Sequence, residues 1–425
     1  MGETLALLGG KPLLRKSLRE PHYIEKDEKA AVLEVLKTGR LSHFVAKYNE
    51  EFFGGPYVKK LEKRFADYFG SGCAVSMNSA TSALFASVYA LGICPGDEVI
   101  VTPYTMSATS TSILSVSGIP VFVDVDPDDF NMDVSKIEGL ITDKTKAIMV
   151  VHLFGNPVDM DKVVDIAKRH KLKVIEDCAQ APGAKYKNKY VGTFGDVGIF
   201  SLNRHKTIQA GEGGVIITND SRLCFKLQLI RNHAEAVIDQ MEDKKGLNLI
   251  GWNYRMTELE AAVGTAQIMK LDKLNALRIK NGGYLSGKLK AFDWIIPNKP
   301  KEKTRCVYYR YPFRFLGRKL GIKRSTFAKA MKEEGFFLNE GYLKPLYLQS
   351  VYKKRKETVP YLGPVYSSSR NYEEGICPVA EKLYKEEFMF SPIAHLARDE
   401  RDVDLFVKAL KKIEENIQVL KKYET

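Results

Sequence analysis

Four short segments of the chain combine residue types that could do chemistry, and each follows an apolar run of strand character. The first is Asn78-Ser79-Ala80-Thr81-Ser82, a small-residue turn that opens a helix. Small residues let backbone N–H groups approach an anion, and the helix dipole favours negative charge there. An ordinary N-cap by Ser79 or Thr81 explains the same residues equally well. The second is Glu176-Asp177-Cys178-Ala179-Gln180, directly after Ile175. A carboxylate at a strand end can hold a protonated ring nitrogen, or simply cap the next turn. The third runs from Phe200-Ser201 through His205-Lys206-Thr207 to Gly211-Glu212-Gly213-Gly214. A lone lysine is usually a surface residue, but Lys206 sits between a strand end and a glycine-rich turn. The fourth, Gly251-Trp252-Asn253-Tyr254-Arg255-Met256-Thr257, reads as a loop leading to a helix capped by Thr257, and by itself carries no role.

Taken together, the segments supply a lysine to condense with an aldehyde and an acid to keep a pyridine nitrogen protonated. Ser201 and the turn at Ala80–Thr81 supply a cradle for a phosphate. A pyridoxal 5′-phosphate (PLP) enzyme needs that combination. Short apolar runs position these residues: Ala74 to Met77, Glu98 to Val101, Pro120 to Val125, Ala147 to Val151, Lys173 to Ile175, Val197 to Ser201 and Gly214 to Thr218. Helical patterns such as Val158 to His170 lie between several of them. The alternation predicts an α/β fold with a mostly parallel seven-stranded sheet covered on both faces. Active sites in such sheets lie beyond the carboxyl ends of the strands. After about residue 275 the pattern changes. A helix from Thr257 to about Leu285 is followed by a strand over Cys306 to Phe315 and a helix near Ser325 to Glu334. The chain closes in an amphipathic helix with Val403, Phe406, Leu410, Ile413, Ile417 and Leu420 on one face. The expected division is a large domain over 1–275, with an N-terminal arm, and a smaller α+β domain over 276–425.

The 425 residues carry a net charge of +13, with 44% hydrophobic and 28% charged residues. The basic excess lies largely in dispersed pairs such as Lys59-Lys60, Lys353-Lys354 and Lys411-Lys412, which read as solvated surface. No helix-turn-helix, zinc-finger or aromatic-basic pattern points to nucleic acid. The longest apolar runs are too short to span a membrane, and Met1 to Lys16 lacks the apolar core of a secretory signal. Cys73, Cys94, Cys178, Cys224, Cys306 and Cys377 are scattered without a CxxC pair, so reduced thiols and a cytoplasmic location are expected. No His/Asp/Glu cluster has metal-ligand spacing, so no catalytic metal is expected.

In order and spacing, these segments resemble the DegT/DnrJ/StrS family of sugar and cyclitol aminotransferases. The similarity also includes Gly9-Gly10-Lys11-Pro12, Thr38-Gly39-Arg40-Leu41-Ser42, Gly96-Asp97-Glu98-Val99-Ile100-Val101, Pro120 to Asp126 and Val151 to Pro157. The resemblance implies a type I PLP-dependent transferase fold and a homodimer whose active sites are shared between subunits. It implies that Lys206 binds the cofactor as a Schiff base and then moves the proton, and that Asp177 pairs with the ring nitrogen. It places Gln180 near the ring hydroxyl, and Ser201 with the backbone at Ala80 and Thr81 around the phosphate. Asn253 would reach that phosphate from the partner subunit. Two positions depart from the family: Met106 stands where an aromatic ring often stacks on the cofactor, and Ala80 where glycine is common. A thioether can cover a ring face, or Met106 can be plain core packing. A subgroup that deoxygenates sugars has histidine in place of the lysine; here the Lys206-to-Gly211 spacing matches the aminotransferases.

The implied reaction moves an amino group from glutamate or glutamine to a keto-sugar, a nucleotide-linked keto-sugar or a keto-cyclitol. Dehydration or epimerisation on the same scaffold, or a PLP-binding regulator without turnover, are the alternatives. His152, His233 and His395 read either as structural or as near the site, and Arg204 either as a contact to an acidic substrate group or as a surface ion pair. Acceptor choice would lie in the loops Phe44 to Gly55, Ala234 to Leu249 and Tyr342 to Lys354.

Overall fold

The computed structural model describes residues 3–18, 23–241, 247–353 and 363–424; parts of the second and third acceptor loops and Lys354 lie outside these. Seven apolar runs become β1 (Cys73–Met77), β2 (Glu98–Val101), β3 (Ile119–Phe122), β4 (Thr145–Val151), β5 (Lys173–Asp177), β8 (Val197–Ser201) and β9 (Gly214–Thr218). They form one sheet in the order β1-β9-β8-β5-β4-β2-β3. The pairs β2·β3, β2·β4, β4·β5 and β5·β8 are parallel, and β9 pairs antiparallel with both β1 and β8. Nearly every strand residue is buried, as expected for a sheet covered on both faces. The third strand is shorter than the pattern Pro120 to Val125 suggests. Past Phe122 the chain turns so that Val125 bridges Met132 instead.

The helices α1 (Lys26–Lys37), α2 (Pro56–Phe69), α3 (Ala80–Ala90), α4 (Ala108–Leu114), α5 (Met160–His170), α6 (Ser221–Arg231), α7 (Ala234–Val237), α8 (Glu258–Ile268) and α9 (Leu271–Leu289) surround and extend this sheet. Their ends follow local chemistry. Pro56 opens α2 and Gly70, at φ 66°, closes it. Ser79 caps α3 by accepting from the Ser82 N–H, and Thr257 forms a capping box with Glu260 before α8. The single helix expected from Thr257 to Leu285 is broken at Met269–Lys270. There Gln267 and Lys270 both reach Glu28 of α1, each at 2.8 Å.

A second sheet takes the order β10 (Ile295–Pro297), β12 (Tyr311–Phe315), β14 (Phe388–Ser391), β13 (Asn339–Glu340), all antiparallel. Helices Arg324–Glu333 and Glu400–Glu415 pack with it around Trp294, Phe315, Phe327 and Phe406. The terminal helix is interrupted at Asn416, whose side chain bonds the Glu3 and Lys412 carbonyls, and resumes over Ile417–Tyr423. A small antiparallel sheet joins β6 (Lys185–Tyr186) to β7 (Lys189–Tyr190) and β11 (Thr304–Arg305). The chain crosses between the two main cores more than once. Leu5 is buried with the second sheet, whereas Tyr347, Tyr352, Tyr372 and Cys377 are buried against Phe122 in the first.

The strand expected over Cys306 to Phe315 begins only at Tyr311. Residues 306–310 leave the sheet direction: Val307 N–H bonds the Gly155 carbonyl and Tyr309 N–H bonds that of Phe154, both at 2.9 Å. Tyr308 takes a positive φ of 46° to do so. The cysteines also depart from expectation. Cys73 of β1 and Cys224 of α6 are disulfide-bonded, while Cys94, Cys178, Cys306 and Cys377 are free. The two partners are 151 residues apart and meet only because α6 packs on β1, which no local spacing displays. Among the described residues no helix is long and apolar enough to cross a membrane.

A buried ion pair holds the N-terminal arm to the second core. Glu334 accepts from the Ala6 and Leu13 N–H groups and from Lys412 Nζ, and Lys412 also donates to the Lys11 carbonyl. Removing one member leaves a buried charge without compensation. Glu334→Ala is expected to lower unfolding free energy by about 3–5 kcal/mol in urea titration. A loss under about 1 kcal/mol, the size of a surface pair, would contradict this account.

Candidate active site

The carboxyl ends of β1, β5 and β8 meet the start of β9 at one place. Gly214 pairs with both Met77 and Ser201, Ser79 bridges Gly213, and Asp177 lies opposite Ile199. A Cβ on Gly214 would sit 2.5 Å from the Ser79 carbonyl and 2.6 Å from Ala80 N. Gly213 has φ 139°, where a side chain would also meet Met256 at 2.7 Å. The glycines of the turn thus let the start of α3 lie directly against the strand ends. The Ala80 and Thr81 N–H groups belong to the first turn and have no intrahelical acceptor, so they suit an anion. Ser201 is buried at the same corner.

Asp177 ends β5 and is buried. Thr109 of α4 donates its hydroxyl to Oδ2 at 3.0 Å, and the Ala179 N–H donates to Oδ1 at 3.1 Å. Burial raises the carboxyl pKa; the Ala179 bond, the Lys206 charge and the Thr109 bond oppose that rise. One oxygen thus caps the Ala179 turn, and the carboxyl group faces the lysine.

Lys206 lies in a loop closed by Leu202 N–H to the Gly213 carbonyl, Arg204 N–H to Gly211 and Ala210 N–H to Leu202. Its amine stands 5.0 Å from the centre of the Tyr309 ring. Burial pushes the amine down to about 8, with Arg310 acting in the same direction and Asp177 against it. The adjacent Thr207 hydroxyl is buried without a partner among the described residues. A lowered amine, a facing carboxylate, an anion turn and an unsatisfied hydroxyl fit a phosphorylated pyridine aldehyde.

The other expected residues fall as follows. Gln180 is buried; its Oε1 accepts from the Phe154 N–H at 2.9 Å and its Nε2 donates to the Tyr342 hydroxyl at 3.2 Å. Met106 is 55% exposed, so it is not packed into the core. Thr81 and Asn253 are exposed. Asn253 lies beside the α3 turn of its own chain, its carbonyl 3.5 Å from Asn78 Nδ2 and its side chain accepting from Arg255 Nε. Arg204 and His205 are exposed, and Arg204 has no ion pair among the described residues.

His152 is structural. Its Nδ1 accepts from the Val158 N–H, which leaves Nε2 to donate to Glu176 at 3.0 Å. Glu176 also accepts from the Gly192, Phe194 and Gly195 N–H groups, each at 2.7 Å. Spacing did not reveal that Cys178 joins these two within 4.8 Å, a group of metal-ligand types. The carboxylate is already filled by four donors, and burial pushes the Cys178 thiol well above its usual range. His233 takes φ 55° before α7 and lies 3.6 Å from Glu235, ordering its loop. His395 is buried with its ring nitrogens 3.2 and 3.3 Å from Arg310 Nη1.

Four residues at this site escaped sequence reasoning: Thr109, Tyr309, Arg310 and Tyr342. Tyr342 lay within a loop marked for acceptor choice. The other three lie in ordinary helical or strand-like patterns that mark no site.

The fold and this site define a PLP-dependent aminotransferase with the type I α/β fold. The chain belongs to the DegT/DnrJ/EryC1/StrS aminotransferase family, whose model matches residues 23–410. It is 38% identical to GDP-perosamine synthase of Caulobacter vibrioides over 324 residues, 76% of this chain and 83% of that protein. It is 31% identical to a putative L-glutamine:3-amino-2,3-dideoxy-scyllo-inosose aminotransferase of Streptoalloteichus tenebrarius, over 99% of this chain and 100% of that one. Among solved structures, an aminotransferase from Psychrobacter cryohalolentis superposes with a TM-score of 0.79 at 29% identity, covering 95% of this chain and 100% of its own. PseC of Helicobacter pylori, an aminotransferase involved in the biosynthesis of pseudoaminic acid, gives 0.77 at 27%, with the same coverage.

Two outcomes follow from the geometry. Gly214→Ala should displace the Ser79–Ala80 turn, at a cost of about 1–3 kcal/mol, and weaken PLP binding at least about ten-fold. Unchanged affinity in a spectroscopic titration would contradict the close-approach argument. In cofactor-free protein, labelling of Lys206 by trinitrobenzenesulfonate should be half-maximal near pH 8. Asp177→Asn should move that midpoint down, because the carboxylate favours the charged amine. A midpoint near the ordinary 10.5 would refute the lowered amine.

Proposed function

We propose that this enzyme moves an amino group from glutamate or glutamine to a keto-sugar, a nucleotide-linked keto-sugar or a keto-cyclitol. One observation carries the reading: a half-buried amine lowered to about 8 faces a buried carboxylate at the end of β5, beside an anion turn. PLP, when bound, supplies the aldehyde that carries the amino group and the ring that accepts an electron pair. Asp177, oriented by Thr109 and Ala179, holds the proton on the ring nitrogen. Ser201 and the Ala80 and Thr81 N–H groups take the phosphate. Gln180, fixed by Phe154 and Tyr342, would border the ring hydroxyl, and Met106 would cover one ring face. Lys206 Nζ holds the cofactor between turnovers and carries the proton during them. An amine near pKa 8 suits that work, since both its forms are populated near neutral pH.

The substrate class follows from the relatives, one named for a perosamine product and one for an inosose acceptor, and the net charge of +13 suits a phosphate-bearing acceptor. The acting unit is a homodimer in the cytoplasm. Leu33 and Leu36 of α1, with Ile250 and Trp252 before α8, are exposed apolar side chains that suit burial by a second subunit. Asn253 lies in that same loop and would serve the partner's phosphate. Residues 1–275 form the large domain and 276–425 the small one, with the crossings between cores described above.

Cofactor-loaded protein should lose its visible absorption band when L-glutamate or L-glutamine is added. A keto-sugar acceptor should restore it. Lys206→Ala should keep bound PLP yet lose about 10²–10⁴-fold or more in turnover. A band that persists with every amino acid would argue for dehydration, epimerisation or regulation instead.

A further inference from the structure

We infer that Arg310 is the receptor for the α-carboxylate of the amino donor, an assignment that rests on the transamination reading above. The segment 306–310 abandons the sheet to bond Phe154 and Gly155, and this carries Tyr309 and Arg310 to the lysine. The Arg310 guanidinium lies 4.9 Å from the centre of the same Tyr309 ring that Lys206 approaches to 5.0 Å. The two cations therefore flank one side chain, and Arg310 is half-buried.

Its partner set differs from those of several other buried or half-buried arginines. Arg231 pairs with Glu62, Arg314 with Glu387 and Arg370 with Glu98, all of them buried or half-buried guanidiniums with a carboxylate. Among the described residues Arg310 pairs with none. It is held by His395, 3.2 and 3.3 Å from Nη1. Burial, with the charges of Arg278 and Arg310, keeps that imidazole neutral by pushing it down to about 2. A carboxylate in that place would have cancelled the guanidinium and repelled an incoming anion. A neutral imidazole orients the fork and leaves its charge available. Arg278, buried nearby and bonded to the Tyr309 carbonyl, adds positive potential without reaching forward.

The chemistry of the donor selects the ligand. Every α-amino acid presents its carboxylate on the carbon that carries the amine. A guanidinium fixed close to Lys206 can thus take that group while the amine stands at the reacting position. Arginine binds a carboxylate through two parallel N–H bonds, which fixes orientation as well as affinity. A neutral keto-sugar lacks such a group, so the receptor acts in the donor half-reaction alone. It is indifferent to whether the side chain ends in carboxylate or amide.

Spectroscopic half-reactions of the cofactor-loaded enzyme test this. Arg310→Gln should raise the half-saturating concentration of L-glutamate or L-glutamine at least about ten-fold, the scale of a lost charge-assisted bond. Its PLP affinity should change far less. L-Glutamine α-methyl ester should be a poor donor for the wild type and an equally poor one for the variant. Arg310→Lys should recover part of the loss. An unchanged half-saturation, or an equal loss for acid and ester, would overturn the assignment. Should the wild type react with neither amino acid, transamination fails but the receptor is still tested, by calorimetric binding of α-methyl-L-glutamate. Binding weakened at least about ten-fold in Arg310→Gln supports the receptor, and equal binding in both proteins overturns it.

Discussion

Two adjacent carboxylates at the end of β5 are buried together, and the site depends on their being buried differently. Successive side chains of a strand point to opposite faces. Glu176 turns to the face where His152 and the Gly192, Phe194 and Gly195 N–H groups saturate it. Asp177 turns to the other, with only the Thr109 hydroxyl and the Ala179 N–H. The first is a structural acceptor that ties the segment after β7 to the strand. The second retains acceptor capacity and faces Lys206. A slip of one residue in β5 would exchange the two roles, so the register of the parallel pairs with β4 and β8 specifies the chemistry.

Around that point the remaining parts arrive from far along the chain. The cradle at Ala80 exists because two glycines more than a hundred residues later have no side chain to hold it off. The lysine loop closes through backbone bonds to the same turn. A single close packing of backbone against backbone therefore seats the anion turn and the lysine together, and a methyl group at Gly214 disturbs both.

Much of this was legible in the sequence. Period and turn chemistry marked all seven strands of the main sheet, and Asp177, Lys206 and the glycine turn each followed a strand end. What was hidden depends on tertiary choice. Cys306 to Phe315 has a strand's composition, yet its first half bonds a loop of the other core, with Tyr308 at positive φ. Pattern cannot report which partner a backbone selects. Thr109 sits in a helix of small hydroxyl residues, and only the fold shows which of them meets a carboxylate. The break at Met269–Lys270 and the Cys73–Cys224 bond likewise arise from contacts between distant elements.

On the receptor assignment, Arg310 would link recognition to proton transfer. Its charge helps hold the Lys206 amine low, while Asp177 favours the protonated form. A carboxylate seated on the guanidinium offsets that charge. The amine then loses one of the influences that disfavour its proton, and it does so when a donor is in place. On that assignment Lys206 would become a stronger base as the carbon bearing the proton arrives. The neutral state of His395 matters for the same reason, since a protonated imidazole would add a positive charge that the donor's carboxylate alone could not offset. Arg310 and His395 would thus both read the donor and set the lysine for it.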